Sequence, residues 1–581
     1  MAATAAVSLA GFTALPQVSS AATSQQSSRY GGVLYMLGSG DVDYMDPNVS
    51  YYTVGYDGLR MWTEQLLQYP AIPGKTTDVV PQLATAMPTV SDNGTLYTLT
   101  IKQGVEWNTS PPSQVTAADA KLGLERTCNP QQPFGGLPDF ESFIVGMTSF
   151  CNAFLKVKPT VAAIKAYLGT HSIAGVVLSP TNPLQISYKL VHPLTYFPDL
   201  LAMAAFTPAP EQILDYLPAS AALAEHTISD GPYEVQSYDP ERSITFVRNP
   251  VWKASLDPIS KAYVDEIKVT ETDSSNSVQQ QLSTNSPTAD LEWGDTPIPT
   301  AQLPGLLASH SPNVILGPTY GMDPYVVFNL KDPNENKAIQ NPSVRKAISY
   351  ALDRALLVTD AGGPQVSPAL TQMLVPESIG YSDFDLYPYN LTRAKSLLGG
   401  KHYTFKLLYQ ADNPVQVKIF QTIQFELASV GITVTGVGVP SADIYTKYYE
   451  VPATAERGVW DFGLSQWFPD WYGSNDAATF IAALFDSDAF PPSGSNFSFE
   501  SDPAVDALIN KALDASSTSL AARYWTQADR AVMADAPVYP IDTTEFAMYV
   551  PNQVHNAVYV PQIQGVDQTN VWLSPNDRQS S

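Results

Sequence analysis

The sequence contains little charge, and especially little positive charge. Only 15% of its 581 residues are charged, and 31 Lys and Arg stand against 56 Asp and Glu, which gives a net charge of −25. Binding to nucleic acid or to anionic lipid needs clustered Lys and Arg. The composition therefore argues against both partners. Such acidity favours solubility outside the cell, and a direct preference for cationic ligands is the alternative.

Cysteine and histidine are also scarce. The two cysteines, Cys128 and Cys151, flank a stretch rich in Pro and Gly, and the six histidines are scattered without a pair at helical spacing. Two thiols without a neighbouring histidine make half a zinc site. Asp41, Asp43 and Asp46 resemble the start of a calcium loop, but the glycine at position six and the acid at position twelve are missing. We therefore predict no metal and no cofactor and, in an exported protein, a Cys128–Cys151 disulfide.

Motifs of catalysis and of nucleotide binding are missing too. The sequence has no Gly-x-Ser-x-Gly nucleophile elbow and no Walker loop. Gly436-Val437-Gly438 follows a predicted strand but lacks the third glycine of a dinucleotide loop. We predict a protein that is not an enzyme, with no catalytic residue. A secreted hydrolase with a dispersed active site is the alternative.

The amino terminus has the pattern of an export signal. Residues 2–15 are small and apolar, and the run Ser-Ser-Ala-Ala at residues 19–22 suits signal peptidase. No Lys or Arg precedes Arg29, so the usual basic start is missing, and Phe12 stands where a lipidated cysteine would follow Ser-Leu-Ala-Gly. We predict an export signal and linker at residues 1–28, without lipid anchoring there. The mature protein is expected in the periplasm, at the cell wall or outside the cell.

Hydrophobic patterns further along the chain indicate a mixed α/β protein of two or three domains. Residues 231–252 are typical of a hairpin that turns at Asp239-Pro240, and residues 58–67 suit a helix. The segment NPSVRKAISYALDR, residues 341–354, predicts a helix that Asn341 caps and Pro342 begins. Strands then alternate with helices, which favours a doubly wound α/β lobe.

Five segments resemble, in order, the signature segments of family-5 extracellular solute-binding proteins, the dipeptide- and oligopeptide-binding receptors of ABC importers. The first contains YMDPN, the third GPYEVQSYDPERSITFVRNPVW and the fifth WDFGLSQWFPDWYG. The resemblance covers nearly the whole chain from Gly31 onward. The five segments are residues 44–69, 79–126, 229–252, 325–354 and 460–485.

The resemblance implies a two-lobed α/β fold of the periplasmic-binding-protein kind, type II, with an enlarged first lobe and the ligand cleft between the lobes. It divides the chain into a first lobe at residues 29–322 plus 547–581, with an extra subdomain at about 60–225, and a second lobe at 323–546. Hinge closure would capture a peptide-like or other small polar solute and deliver it to ABC permease subunits. The protein is expected to be a monomer that meets the membrane only through the permease. Use of the same fold by a sensor or chaperone is a further alternative.

The resemblance also implies the ligand-contacting residues. Asp470 matches the aspartate that pairs with a peptide's α-amino group in relatives, and it lies among Gln466, Trp467, Phe468 and Trp471. The facing wall is predicted to include Tyr51, Tyr52 and Thr53, and Trp293 is predicted near the hinge. The alternative for Asp470 is the cap of a turn, and the alternative for the tryptophans is core packing.

Overall fold

Three sheets organise the part of the chain that can be described. The computed structural model describes residues 29–294, 296, 298–299, 301–318, 321–544 and 546–575. The expected export signal at residues 1–28 lies outside the described residues. Within them, no helix is both long enough and apolar enough to cross a bilayer.

The first five-stranded sheet forms the centre of what we call the first lobe, together with the segments that pack on Leu34, Ile267 and Leu291. The predicted hairpin at residues 231–252 is confirmed and supplies its first two strands. Pairing is antiparallel up to the third strand and parallel beyond it. The strand order is Tyr233–Asp239, Ser243–Arg248, Glu266–Thr270, Val33–Gly38 and Leu291–Trp293.

The second five-stranded sheet, with the helices between residues 342 and 535, forms what we call the second lobe. Its first three strands are parallel, the fourth runs antiparallel to them, and the fifth runs antiparallel to the fourth. The strand order is Ile432–Val439, Tyr403–Gln410, Phe462–Trp467, Met322–Phe328 and Val538–Pro540. The longer helices are Pro342–Ala351, Arg354–Asp360, Leu391–Leu398, Pro414–Ala428, Ala477–Phe485, Pro503–Leu513 and Thr518–Asp535.

A four-stranded antiparallel sheet forms the centre of a third region, which we call the subdomain, residues 83–214. Cys128 and Cys151 are joined by a disulfide with their Cα atoms 4.9 Å apart, which closes the loop between two of the subdomain's helices. The strand order is Thr89–Ser91, Leu96–Thr100, Gln185–Lys189 and Val176–Leu178. The helices are Ala117–Arg126, Met147–Phe154, Val161–Leu168 and Phe197–Leu200.

Shorter elements complete the described chain. The two-stranded pairs are Leu67–Gln68 with Val80–Pro81, Glu106–Trp107 with Ser113–Gln114, Val314–Leu316 with Ala547–Tyr549, Val554–His555 with Trp572–Leu573, and Tyr559–Val560 with Gly565–Val566. The remaining α-helices are Thr53–Trp62, Ala221–Ala224, Ser275–Ser283, Leu303–Ala308, Asn334–Lys337, Ser441–Asp443 and Pro452–Glu456.

Two helices depart from their predicted limits, and a capping side chain explains one of the departures. The helix predicted at residues 341–354 begins as expected, because the Asn341 side chain accepts a hydrogen bond from the Ser343 amide at 3.0 Å. It ends at Ala351, since Asp353 caps a second helix by accepting from the Ala355 amide at 3.1 Å. The helix predicted at residues 58–67 is Thr53–Trp62 instead.

Two neighbouring segments carry the chain between the lobes. Val314–Leu316 pairs antiparallel with Ala547–Tyr549 beside the first lobe, and Met322–Phe328 pairs antiparallel with Val538–Pro540 in the second lobe. Between these pairs, Gly321 bridges to Thr544, whose amide donates to the Gly321 carbonyl at 2.9 Å. The two crossings therefore form one antiparallel ribbon.

Candidate functional site

Two segments that the sequence predicted to line a cleft, residues 50–56 and 466–472, lie where the lobes meet. The Tyr52 hydroxyl of the first lobe donates to Glu450 Oε1 of the second lobe at 3.2 Å. The Tyr52 ring also meets the Tyr445 ring edge to face, with centroids 5.6 Å apart. These contacts join the lobes, and we call this arrangement the closed form.

Asp43 holds the first of these segments in place. Its carboxylate accepts hydrogen bonds from the Ser50 hydroxyl at 2.6 Å and from the amides of Tyr51 and Tyr52 at 2.6 and 3.1 Å. Burial raises the pKa of Asp43 to about 6, and these hydrogen bonds oppose the rise. Tyr52 is the residue that precedes the helix beginning at Thr53, so these hydrogen bonds hold the backbone of the segment up to the start of that helix.

Tyr51 packs against a loop of the subdomain. Its ring meets the Phe134 ring edge to face, with centroids 5.2 Å apart. A Cβ atom on Gly135 would come within 2.7 Å of the Tyr51 ring, and one on Gly136 within 2.9 Å. The two glycines therefore allow the close approach of the ring. The same loop continues to Asp139.

Asp470 and Asp139 form a buried pair of carboxyl groups between the lobes. Each residue is only 8% exposed. Burial raises the pKa of Asp470 to about 7, against the opposing influence of the Tyr51 hydroxyl and the Asp139 carboxyl. Burial, followed by the neighbouring Asp470, raises the pKa of Asp139 well above its ordinary value. Two carboxyl groups this close cannot both ionise at low cost.

Three oxygen atoms of this group lack a normal hydrogen bond. Among the described residues, the Tyr51 hydroxyl, Asp139 Oδ2 and Asp470 Oδ2 are buried without a partner of acceptable hydrogen-bond geometry. The three groups nevertheless interact with one another, because side-chain contacts of Asp470 with Tyr51 and with Asp139 contribute to the shifts of their pKa values. A buried polar atom without a partner is costly, so this arrangement has capacity for a ligand that donates hydrogen bonds.

The tryptophans and phenylalanine of the second segment have different surroundings. The Trp467 indole donates to the Thr479 carbonyl at 2.7 Å inside the second lobe. Phe468 is half-buried and approaches the Phe546 ring, with centroids 6.4 Å apart. The Trp471 side chain extends from the second lobe to the subdomain.

Trp471 and Tyr472 bind the second lobe to the rest of the molecule. The Trp471 ring stacks on Tyr196 of the subdomain, with centroids 5.7 Å apart and planes 8° apart. Tyr472 lies in the first-lobe core, where its hydroxyl donates to the Pro561 carbonyl at 3.0 Å and its amide donates to the Tyr69 hydroxyl at 3.0 Å. The segment thus contacts both the subdomain and the first lobe.

The remaining residues that the sequence predicted to contact a ligand are Gln466, Thr53 and Trp293. The amide and carbonyl of Gln466 both hydrogen-bond the Tyr445 hydroxyl, at 2.9 and 3.2 Å. Thr53 is half-buried at the start of its helix. Trp293 is fully buried in the first-lobe core, and its indole donates to the Gly40 carbonyl at 3.3 Å. Ligand contact by any of these residues stays a prediction.

Sequence reasoning missed Asp139 and Glu450. Asp139 lies between the two cysteines, in a loop whose only visible signal was a possible disulfide. Glu450 has no motif around it, and only the fold brings it to Tyr52. Burial raises the pKa of Glu450 to about 7, while the Tyr52 hydroxyl lowers it and Asp43 raises it.

The electrostatics of this site favour a cation. The groups that shift the pKa values of Asp43, Glu450, Asp139 and Asp470 are tyrosine, serine and acidic residues and backbone amides, with no Lys, Arg or His among them. A positive group placed beside these carboxyls would remove the repulsion between them and allow them to ionise.

Comparison with known proteins agrees with this architecture. Residues 78–490 match the model of bacterial extracellular solute-binding proteins, family 5 Middle. The chain is 24% identical over 460 residues to the glutathione-binding protein GsiB of Salmonella typhi, covering 78% of each chain. It is 23% identical over 465 residues to GsiB of Escherichia coli O6:K15:H31, again covering 78% of each.

Solved structures share the fold. A protein described as clavulanic acid biosynthesis oligopeptide binding protein 2 has a TM-score of 0.76 and 23% identity, over 94% of this chain and 96% of that one. DppA of Helicobacter pylori, in complex with the peptide STSA, has a TM-score of 0.75 and 19% identity, over 95% and 100%. The two-lobed α/β fold predicted from the sequence is thereby confirmed. The chain belongs to the family-5 extracellular solute-binding proteins, the substrate-binding components of ABC importers.

Proposed function

We propose that this protein captures a peptide-like or similarly sized polar solute with an amino group, by closing its lobes on it, and delivers it to an ABC permease. The observation that carries the proposal is the Asp470 carboxyl, which is buried between the lobes and has an oxygen free to accept a hydrogen bond. The names of the relatives support a ligand of this class, since they describe glutathione- and oligopeptide-binding proteins. The proposal includes export, a monomeric state and no catalysis.

We further propose a division of the chain for this movement. The first lobe comprises residues 29–322 and 547–581, with the subdomain inside about 60–225, and the second lobe comprises residues 323–546. The antiparallel ribbon around Gly321 and Thr544 supports a hinge there, because two short adjacent crossings allow rotation without unfolding either sheet. Opening would separate Tyr52 from Glu450 and expose Asp470.

A binding experiment tests whether Asp470 anchors the amino group of the ligand. Purified protein is offered an equimolar pool of tri- and tetrapeptides with free amino termini, and native mass spectrometry identifies the peptides retained. Calorimetry with the best-retained peptide should show that Asp470→Ala weakens binding by more than about 1.5 kcal/mol, because a charge-assisted hydrogen bond is lost. Asp383→Asn, an exposed second-lobe carboxylate, is the matched control and should bind like the wild type.

Two results would contradict this proposal. Unchanged affinity of Asp470→Ala would remove Asp470 as the amine anchor. Failure to retain any peptide from the free pool would count against the peptide-like ligand class.

A further inference from the structure

We propose that Asp139 is a second ligand-binding carboxyl, and that Asp139, Asp470 and Tyr51 together receive one primary ammonium group. The inference rests on the proposed function and narrows its ligand class. A ligand with an unblocked primary amine would be selected over an equally charged ligand whose amine carries alkyl groups. Charge alone would then be insufficient for tight binding.

The first support is the match between acceptors and donors. Asp139 Oδ2, Asp470 Oδ2 and the Tyr51 hydroxyl oxygen are three buried atoms without a normal hydrogen-bond partner in the described part of the chain. A primary ammonium has three N–H donors on one nitrogen. One such group can therefore supply a partner to each of the three oxygens, whereas an alkylated amine has fewer donors to give.

The second support is the construction of the loop that carries Asp139. The Cys128–Cys151 disulfide closes this loop, and Phe134, Leu137 and Phe140 on it are at most 1% exposed. A loop anchored in this way holds Asp139 in position before any ligand arrives. Binding then loses less conformational entropy than it would with a mobile side chain.

The third support is the convergence of Tyr51 and Asp139. A Cβ atom on Gly136 would lie 2.9 Å from the Tyr51 ring and 3.0 Å from Asp139 Oδ2, so both side chains border the same glycine. A nearby tyrosine, Tyr56, is only 8% exposed, and Asp470 and Asp139 are among the causes that raise its pKa, after burial. Buried polar atoms gathered in this way favour a ligand that donates hydrogen bonds.

Within the described ranges, no positively charged side chain is among the groups that shift the pKa values of the pair. The groups that face it are Tyr51, Tyr56 and Tyr196, none of which is positively charged. In the free protein the two carboxyls must share a proton to limit their repulsion. A bound ammonium would replace that proton as the positive partner, so the ligand stabilises both carboxylates together.

The experiment compares three versions of one peptide pool. Tri- and tetrapeptides are used with free amino termini, with N,N-dimethylated termini, which stay cationic but keep one N–H, and with acetylated termini. Native mass spectrometry measures retention by the wild type, Asp139→Asn and Asp470→Asn. Glu141→Gln, two residues along the same loop, is the matched control, because the acidic residue that affects Glu141 is Asp488 and not Asp470.

We expect the wild type to bind the free pool at least tenfold more tightly than the dimethylated pool, and the acetylated pool least. Asp139→Asn should bind the free pool about tenfold more weakly and discriminate less than about threefold between free and dimethylated termini. Its melting temperature without ligand should equal or exceed that of the wild type, because one of two repelling carboxyls is gone. A merely structural Asp139 would instead lower it.

The outcomes separate this inference from the proposed function. If the wild type binds dimethylated peptides as tightly as free ones, or if Asp139→Asn binds the free pool like the wild type, Asp139 has no such role and the Asp470 anchor is unaffected. If acetylated peptides bind as well as free ones, or none is retained, the proposed function fails and this inference fails with it. If Asp139→Asn does not fold, the comparison of pools on the wild type still tests the selectivity for a primary ammonium, and equal binding of free and dimethylated peptides would overturn the inference.

Discussion

Tyr52 shows how a single side chain can report on lobe closure. Its hydroxyl donates across the lobe boundary to Glu450, while its backbone amide is fixed by Asp43 within the first lobe. The hydrogen bond to Glu450 therefore needs the lobes together, whereas the hydrogen bond to Asp43 lies within the first lobe alone. Removing the hydroxyl alone should change closure without unfolding the segment.

We predict that Tyr52→Phe destabilises the closed conformation by about 1 kcal/mol, the usual net contribution of one hydrogen bond. Small-angle X-ray scattering should then show a larger mean radius of gyration than in the wild type at the same pH. Tyr381→Phe, on an exposed tyrosine of the second lobe, should leave the scattering unchanged. Identical curves for wild type and Tyr52→Phe would contradict a role for this contact in closure.

The residue scale is also where sequence reasoning reached its limit. Asp470 could be singled out because the residues around it, QWFPDWYG, resemble a family segment. Asp139 and Glu450 could not, because an isolated acid in a loop has no local pattern that separates a ligand site from a solvated surface. Their significance depends on burial, which arises only when distant segments pack together.

At the scale of elements, local signals predicted helices and strands well where their stabilising contacts are local. The helix at Pro342–Ala351 is capped by Asn341, two residues from the amide it serves, so the sequence displays the whole motif. The helix Thr53–Trp62 follows a segment held by Asp43, eight residues before Tyr51. Tyr52, which precedes the first helical residue, makes no side-chain capping hydrogen bond, so the sequence shows no capping motif there and the prediction at residues 58–67 was misplaced.

The crossing ribbon allows a second test, at Gly321. A Cβ atom on Gly321 would collide with the Phe468 ring, because that ring packs directly over the glycine. We predict that Gly321→Ala forces Phe468 out of this position and reduces ligand affinity about tenfold, at a cost in the closed form of roughly 1–3 kcal/mol for overpacking. Calorimetry with the best-retained peptide measures the change.

Gly305 is the control for this substitution. It lies in the helix Leu303–Ala308, and an added Cβ atom would meet nothing within 4 Å. Gly305→Ala should therefore keep wild-type affinity, and the helix should gain roughly 0.5–1 kcal/mol of stability. Equal affinities for Gly321→Ala and Gly305→Ala would show that the ribbon does not need close contact with Phe468.

At the scale of the whole molecule, the closed form buries many carboxyl groups. Burial raises the pKa values of Asp43 to about 6 and of Glu450 and Asp529 to about 7. Their ordinary values are 3.8 for Asp and 4.5 for Glu, so between about pH 4.5 and 7 the folded protein binds protons that the unfolded chain does not. These groups contribute stability that is complete below the lower values and is lost as the pH rises through the higher ones.

We therefore predict that the ligand-free protein is more stable at pH 5 than at pH 8 and loses stability steadily between these values. Thermal unfolding followed by circular dichroism should show the melting temperature falling by at least about 2 °C across this range. Glu450→Gln should make the decrease smaller, because its amide does not titrate. A melting temperature that is constant or rises up to pH 8 would contradict the raised pKa values.

The sequence by itself determined the family, the mixed α/β character and the identity of several elements. These depend on local patterns and on segments that resemble the family's signature segments in the same order. The tertiary structure alone decided which side chains meet between the lobes. It placed Trp293 in the first-lobe core and Trp471 on Tyr196, and it brought Asp139 to Asp470 across 331 positions of the chain. Burial and electrostatic coupling act through space, so residues far apart in the chain acquire a joint function only when folding brings them together.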